Sequence, residues 1–304
     1  MKARAVVVSA FVSVMLSSKG LADSWSDADA LFAMRENGRE KIAAARAKYF
    51  DILSATTTKA DKIRAVSQLA RLAVFEGEMT LPKDNVDERK AIFGSCFCAK
   101  TSVISTPTPR PNCEEPGFME KISPAAIGEE HPAYYYFKSI CEAYWGEVAG
   151  PMEKLAYSQW LKADIAKGVT LDTRFEGGGI LRVASGVYSN PKAAPVQMYD
   201  PDRALGWATQ AIASQAYPGD PSDGTQYYEN PQVRVKVLMQ LASDRPNSNF
   251  KQQAMNAATS MLSEMDERFA LDDLPAGRAP EFRYAYKRTK EFYKELTGTD
   301  WEGY

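Results

Sequence analysis

Apolar positions recur along this chain at intervals of three and four residues, and no stretch shows a sustained alternation of two. From Asp23 to Ser54, Ile42, Ala45, Tyr49 and Leu53 share one helical face, with Arg39, Lys41, Arg46 and Lys48 distributed around it. A second helix is predicted from an N-cap near Asp61 to a stop at Gly77, with Ile63, Val66, Ala70 and Ala73 as its apolar face. Asp84 opens a third that carries Ile92, Phe93 and Phe97. His131-Pro132 starts the most aromatic helix, with Tyr134, Tyr135, Tyr136, Phe137, Tyr144 and Trp145. Gly150-Pro151 leads into a helix expected to end at Gly168. Further on, Asn230-Pro231 is expected to cap a helix with Val233, Val237 and Leu241. Ala254, Ala258, Met261, Leu262 and Met265 make another stripe, and Pro280 opens the last helix.

The segment Asp172–Tyr217 organises the middle of the chain. Gly177-Gly178-Gly179 interrupts helical structure, which resumes at Ile180 with Leu181, Ala184, Val187 and Tyr188 on one side. Asn190-Pro191 ends that helix, since a residue before proline is driven out of the α region. Asp200 then caps a second helix with Pro201 at its first position, and Ala204, Ala208 and Ala211 allow a neighbour to approach closely. Antiparallel hairpins at spacings near thirty-five to forty residues predict an all-α fold. The expected form is an αα-hairpin superhelix of degenerate tetratricopeptide-like repeats, in a single domain over residues 23–304. An irregular helical bundle is the other arrangement this pattern allows.

Ser102–Pro124 breaks the periodicity with five prolines and reads as a surface excursion at about 99–124. Cys113 lies within it and Cys96, Cys98 and Cys141 lie around it, all the cysteines of the chain. Met1–Ala22 has the form of a secretory signal peptide. Lys2 and Arg4 precede an apolar Ala5–Leu16, and Gly20-Leu21-Ala22 offers small-residue cleavage before Asp23. An exported, periplasmic or secreted protein without a membrane span is therefore expected, with even-numbered cysteines as disulfides. The favoured pairing joins one of Cys96 and Cys98 to Cys141 and the other to Cys113. A metal site and reduced core cysteines are the alternatives. The formal charge is −2, or −5 without the leader's three basic residues, and no basic block is present, which argues against nucleic acid as a partner.

Catalytic chemistry finds little to stand on. His131 is the only histidine and sits at a helix start, where capping is its expected role. No G-x-S-x-G nucleophile elbow accompanies it. No Lys-Ser/Thr pair follows the glycines, so a phosphate loop is disfavoured. Asp220, Asp223 and Gly224 miss the spacing of a calcium loop. No enzymatic activity, cofactor or metal is expected. Four adjacent aromatics, Tyr134–Phe137, go round a helix, so at least one is expected to be exposed. Arg174 and Arg182 flank the glycine turn, in reach of a carboxylate or of ion pairs of their own.

The run His131-Pro-Ala-Tyr-Tyr-Tyr-Phe137, then Tyr144-Trp145-Gly146, then Gly177-Gly-Gly-Ile-Leu-Arg-Val-Ala-Ser-Gly-Val-Tyr188 and an Ala-rich helix resembles the T component of TRAP-type transporters (the TatT-like proteins). The resemblance covers most of 23–304 and is sharpest over Glu130–Pro218. It implies an exported helical-repeat protein, non-enzymatic, that encloses a pore or cavity and works beside an extracytoplasmic solute-binding protein. The expected ligand is small and apolar or a carboxylate, and a homo-oligomer is compatible with the pattern. The chain lacks the lipid-anchoring cysteine frequent after that family's signal, and Cys96–Pro124 is outside its pattern. The candidate ligand- or partner-binding residues are Tyr134, Tyr135, Tyr136, Trp145, Arg174, Phe175, Arg182 and Tyr188. A general periplasmic tetratricopeptide-like scaffold for envelope assembly is the alternative function. A cavity lined by aromatics distinguishes the first function, an open polar groove the second.

Overall fold

Helix follows helix throughout the computed structural model, which describes residues 22–97, 117–218, 224–275 and 277–303. There is no strand among the described residues. The N-terminal helical stretch is two helices rather than one: α1 (22–33) and α2 (Arg39–Ala55) are separated by a short 3-10 turn and Gly38. α3 (Lys59–Val74) is capped by Thr58, whose hydroxyl accepts from the Asp61 amide, so Asp61 lies inside the first turn. Helical winding then widens over Phe75–Thr80 and continues through Gly77. Gly77 is needed there for closeness, because a Cβ would meet the Phe93 ring at 2.5 Å.

α4 (Val86–Phe97) is followed, past the undescribed 98–116, by a 3-10 turn at Phe118–Ile122 and one helical turn, α5 (Pro124–Ile127). The end of the expected surface excursion is therefore core: Phe118, Met119 and Ile122 are all buried. The apolar spacing there suits a 3-10 turn and is too short to register as a helix. α6 (Pro132–Val148) and α7 (Pro151–Leu171) come next, the latter running past Gly168. The glycine turn leads to α8 (Gly179–Tyr188), and Asp200 caps α9 (Pro201–Ile212) as expected. α10 (Glu229–Asp244), α11 (Phe250–Ala270) and α12 (Ala279–Thr297) complete the chain. Asn230 is not the cap of α10 but lies within its first turn, fully buried.

Successive hairpins stack in two layers. α3, α6, α8, α10 and α12 pack side by side as an inner layer, while α2, α7, α9 and α11 back them. α6 is enclosed by α3, α4, α7, α8 and the 118–122 turn. A helix surrounded in this way carries apolar side chains all round. This corrects the expectation of an exposed aromatic, since Tyr134, Tyr135, Tyr136 and Phe137 are all buried. Cys96 of α4 is bonded to Cys141 of α6, the pairing expected for one member of the Cys96/Cys98 pair. Cys98 and Cys113 lie outside the described residues, as does the expected leader before Ala22.

The superhelix closes on itself. Arg35, only 1% exposed, donates to both carboxylate oxygens of Glu281 on α12, to Phe32 O and to Gly277 O. Its guanidinium lies 4.2 Å from the Phe32 ring centre. Arg283 bonds Glu36 and Tyr284 bonds Glu78 across the same seam. The last inner helix is thus clasped to the N-terminal segment, and the inner layer surrounds a space. No described helix is long and apolar enough to cross a membrane.

Candidate functional site

The enclosed space is a half-open cavity of about 1620 Å³. That exceeds the usual range of roughly 300–1,000 Å³ for small-molecule sites. Much of its wall comes from stripes of the inner helices, with Lys154, Tyr157, Ser158 and Leu161 of α7 completing it. α6 contributes Tyr136, Ile140, Ala143 and Glu147, at the three- and four-residue steps that keep a single face. α8 adds Arg182, Val183, Gly186 and Val187, and α10 adds Glu229, Val233 and Lys236. α12 adds Glu281, Tyr284 and Arg288.

The charge of this wall differs from that of the whole chain. Among the described residues twelve basic and eight acidic side chains face the cavity, whereas the chain carries a formal −2. Near the first turns of α8, α10 and α12 the wall carries Arg71, Arg182 and Arg278 beside Glu176 and Glu229. Arg278, at the start of α12, donates to Glu229 in the first turn of α10, with its guanidinium 3.9 Å from the Tyr227 ring centre. Arg71 of α3 bonds Glu176. Burial works against the Glu229 carboxylate, yet Arg278 and Arg182 outweigh it and hold Glu229 below the usual carboxylate range.

Arg182 is different. Its Nη1 donates to Asn230 Oδ1 at 2.7 Å and its Nη2 to the Tyr136 hydroxyl at 3.0 Å. Both acceptors are neutral, and Arg182 pairs with no carboxylate among the described residues. Burial pushes the Tyr136 phenol above its ordinary value, so it stays protonated. Since the Tyr136 oxygen accepts from Arg182, its own O–H remains as a donor beside the guanidinium.

Arg182 is held in place through the glycine turn. Gly177 and Gly178 both have positive φ, at 52° and 84°. A Cβ on Gly178 would meet Ala211 Cα at 2.8 Å and Ala211 O at 2.9 Å, so only glycine lets this turn close on the end of α9. Asn230 locks the assembly. Its amide nitrogen lies 2.8 Å from Gly177 O, 3.1 Å from Ala211 O and 2.7 Å from Gly224 O, while its oxygen takes the Arg182 bond. One buried amide thereby satisfies backbone groups that helices cannot pair for themselves.

Of the residues singled out in the sequence, Tyr136, Phe175 and Arg182 meet at this cavity. Tyr134 and Tyr135 are in the core and bond Glu120 and Glu130. Trp145 is fully buried, and Tyr188 is buried edge-on against Trp207. Arg174 forms a two-point ion pair with Asp172 away from the cavity wall. His131 caps α6, its Nδ1 accepting from the Ala133 amide. Sequence reasoning missed Asn230, Tyr227 and Arg278. Asn230 reads as a cap because it precedes proline, and no local pattern distinguishes a cap from a long-range lock. The described residues hold no cluster of acidic, histidine and cysteine side chains suited to a metal.

No family model, curated protein or solved structure matches the chain.

Proposed function

We propose that this chain is a non-enzymatic helical-repeat binding protein that holds a small organic carboxylate in its central cavity, with Arg182 as the anion's principal partner. The observation that carries the reading is a guanidinium in the cavity wall whose hydrogen-bond acceptors are both neutral, Asn230 and Tyr136. Glu229 acts on it only at longer range and is itself bound by Arg278, so a bound carboxylate would give Arg182 its direct charge-assisted hydrogen bonds, about 1.5–3 kcal/mol each. The basic excess of the wall and the aromatic rings around it support an acid with an apolar body. The resemblance to the TRAP transporter T component supplies the setting. The protein works outside the cytoplasm and exchanges its ligand with an extracytoplasmic solute-binding protein. The leader-like first 22 residues and the Cys96–Cys141 bond agree with that compartment. A peptide-binding scaffold needs an open groove, whereas the clasp between Arg35 and Glu281 joins the two ends of the superhelix around the cavity.

Calorimetric titration with acetate, succinate and benzoate, each against its neutral amide, tests the reading. At least one carboxylate should bind while its amide does not, and Arg182→Gln should weaken that binding by about 10-fold or more, or ~1.4 kcal/mol. Equal binding of acid and amide, or unchanged affinity in Arg182→Gln, overturns it.

A further inference from the structure

On the side of α6 that faces α7, three polar atoms are buried without a hydrogen-bond partner: Ser139 Oγ, Glu142 Oε2 and Trp145 Nε1. They recur every three residues along one side of the helix, and all three side chains are fully buried. Across the seam, Asp164 Oδ2 of α7 is also without a hydrogen bond, although Lys138 Nζ forms an ion pair with it at 2.9 Å. Native proteins seldom leave buried carboxylate oxygens unpaired. Glu142 and Asp164 share one cation, Lys138, whose Nζ is 3.9 Å from Glu142 Oε1 and 2.9 Å from Asp164 Oδ2, so two ionised carboxylates there would repel each other. One proton removes both difficulties. A protonated Glu142 Oε2–H can donate to Asp164, which keeps its ion pair with Lys138, and the orphaned Glu142 oxygen gains a partner.

We propose that Glu142 and Asp164 form a buried carboxylic acid–carboxylate pair that retains one shared proton at neutral pH, a proton-binding site between α6 and α7. The surrounding groups fit that state. The Tyr157 hydroxyl of α7 donates to Glu142 Oε1 at 3.1 Å, leaving Oε2 as the protonated oxygen. Lys138 lies 3.9 Å from Glu142 Oε1 and closer to Asp164, so its charge favours placing the shared proton on Glu142. Burial, with the Asp164 charge next, pushes the Glu142 carboxyl well above the usual carboxylate range.

Of the other charges packed on α6, Arg89 of α4 lies 3.9 Å from Glu147 near the end of the helix, and burial pushes the Glu147 carboxyl upward. Glu120 of the 118–122 turn accepts from Tyr134, and Lys90 of α4 is bound by Glu153. Arg71 of α3 and Arg182 of α8 are engaged at the arginine cluster. Glu142 also faces the cavity, so the retained proton takes one negative charge off the cavity wall. The acid pair stands on the seam's own geometry, whether or not the cavity takes a carboxylate.

A carboxyl whose proton affinity rises on folding contributes stability at low pH that is lost as the pH climbs through its folded-state value. Urea unfolding of the full chain from about pH 5 to about pH 9 reads this directly. The wild-type midpoint should fall as the pH rises. Glu142→Gln, whose amide N–H replaces the acid proton, should keep the wild-type midpoint at the acidic end and show a shallower pH slope, since Glu147 also has a raised carboxyl. The infrared C=O stretch of a protonated carboxyl should be present in the wild type at neutral pH. It should be absent from Glu142→Gln and from Asp164→Asn, where Lys138 is left with a single carboxylate. An unchanged pH slope in Glu142→Gln, or no protonated-carboxyl band in the wild type, overturns the proposal. So does a midpoint set by sodium or potassium concentration, which would put a metal cation where the proton is placed. If Glu142→Gln does not fold, the wild-type and Asp164→Asn spectra decide.

Discussion

Replacing Gly178 by alanine adds one carbon atom to the turn that positions Arg182. The glycine has φ +84°, where an L-residue costs about 1–2 kcal/mol. The new Cβ would lie 2.8 Å from Ala211 Cα and 2.9 Å from Ala211 O, both backbone atoms at the end of α9. A side chain could rotate away, but relief here requires α9 to shift, and overpacking of that kind costs about 1–3 kcal/mol. Together the two effects destabilise by about 2–5 kcal/mol. In a protein of this size that lowers Tm by roughly 4–20 °C. Gly206→Ala provides the control. Gly206 lies inside α9, and a Cβ added there would meet nothing within 4 Å, so alanine should raise stability by about 0.4–1 kcal/mol. Thermal melts and urea titrations of both variants measure the contrast. A Gly178→Ala protein that melts with the wild type would show that the turn has room for a side chain, and that α8 and α9 are not held in contact by this glycine.

Asn230→Ala removes the amide shared by three carbonyls and the acceptor of Arg182. Unfolding free energy should drop by about 2–4 kcal/mol, as read by urea titration, since buried acceptors are left unpaired. Arg35→Ala leaves Glu281 without its counter-charge and opens the clasp. A loss of about 3–5 kcal/mol is expected, with faster amide hydrogen exchange concentrated in α12. Replacing Cys96 and Cys141 together by alanine frees a 45-residue separation in the unfolded chain. The entropy model of cross-links predicts a loss of about 3–4 kcal/mol, measured against the oxidised wild type.

Much of the fold was legible in the sequence because helices announce themselves locally. The three- and four-residue spacing of apolar side chains, Asp200-Pro201 at the start of α9 and Asn190-Pro191 past the end of α8 each act within one or two turns. The need for glycine at 177–179 was legible for the same reason, since a triple glycine before a helical stripe has few other uses. Boundaries that depend on neighbours were not. Gly77 reads as a helix stop, yet winding continues through it, and the missing Cβ makes room for the Phe93 ring of a later helix. Phe118, Met119 and Ile122 read as loop, yet they fill a space that only the assembled helices create.

The candidate site divides along the same line. Tyr136, Phe175 and Arg182 could be named from the sequence, but so could Tyr134, Tyr135 and Tyr188, which the structure turns into the core. A helix with aromatic residues on every side does not say which side meets a cavity; the packing of α3, α4, α7 and α8 around α6 decides that. Closure of the superhelix was also invisible, because Arg35 and Glu281 are 246 residues apart and each reads alone as a surface charge. The same holds for Asn230 with Arg182 and for Glu142 with Asp164. The value of a polar side chain depends on the dielectric around it and on the partner it meets, and both are set only when distant helices come together. By itself the sequence determined an all-α chain with a glycine-hinged hairpin and an aromatic central helix. The tertiary structure decided that these close into a ring, and which charges face its interior.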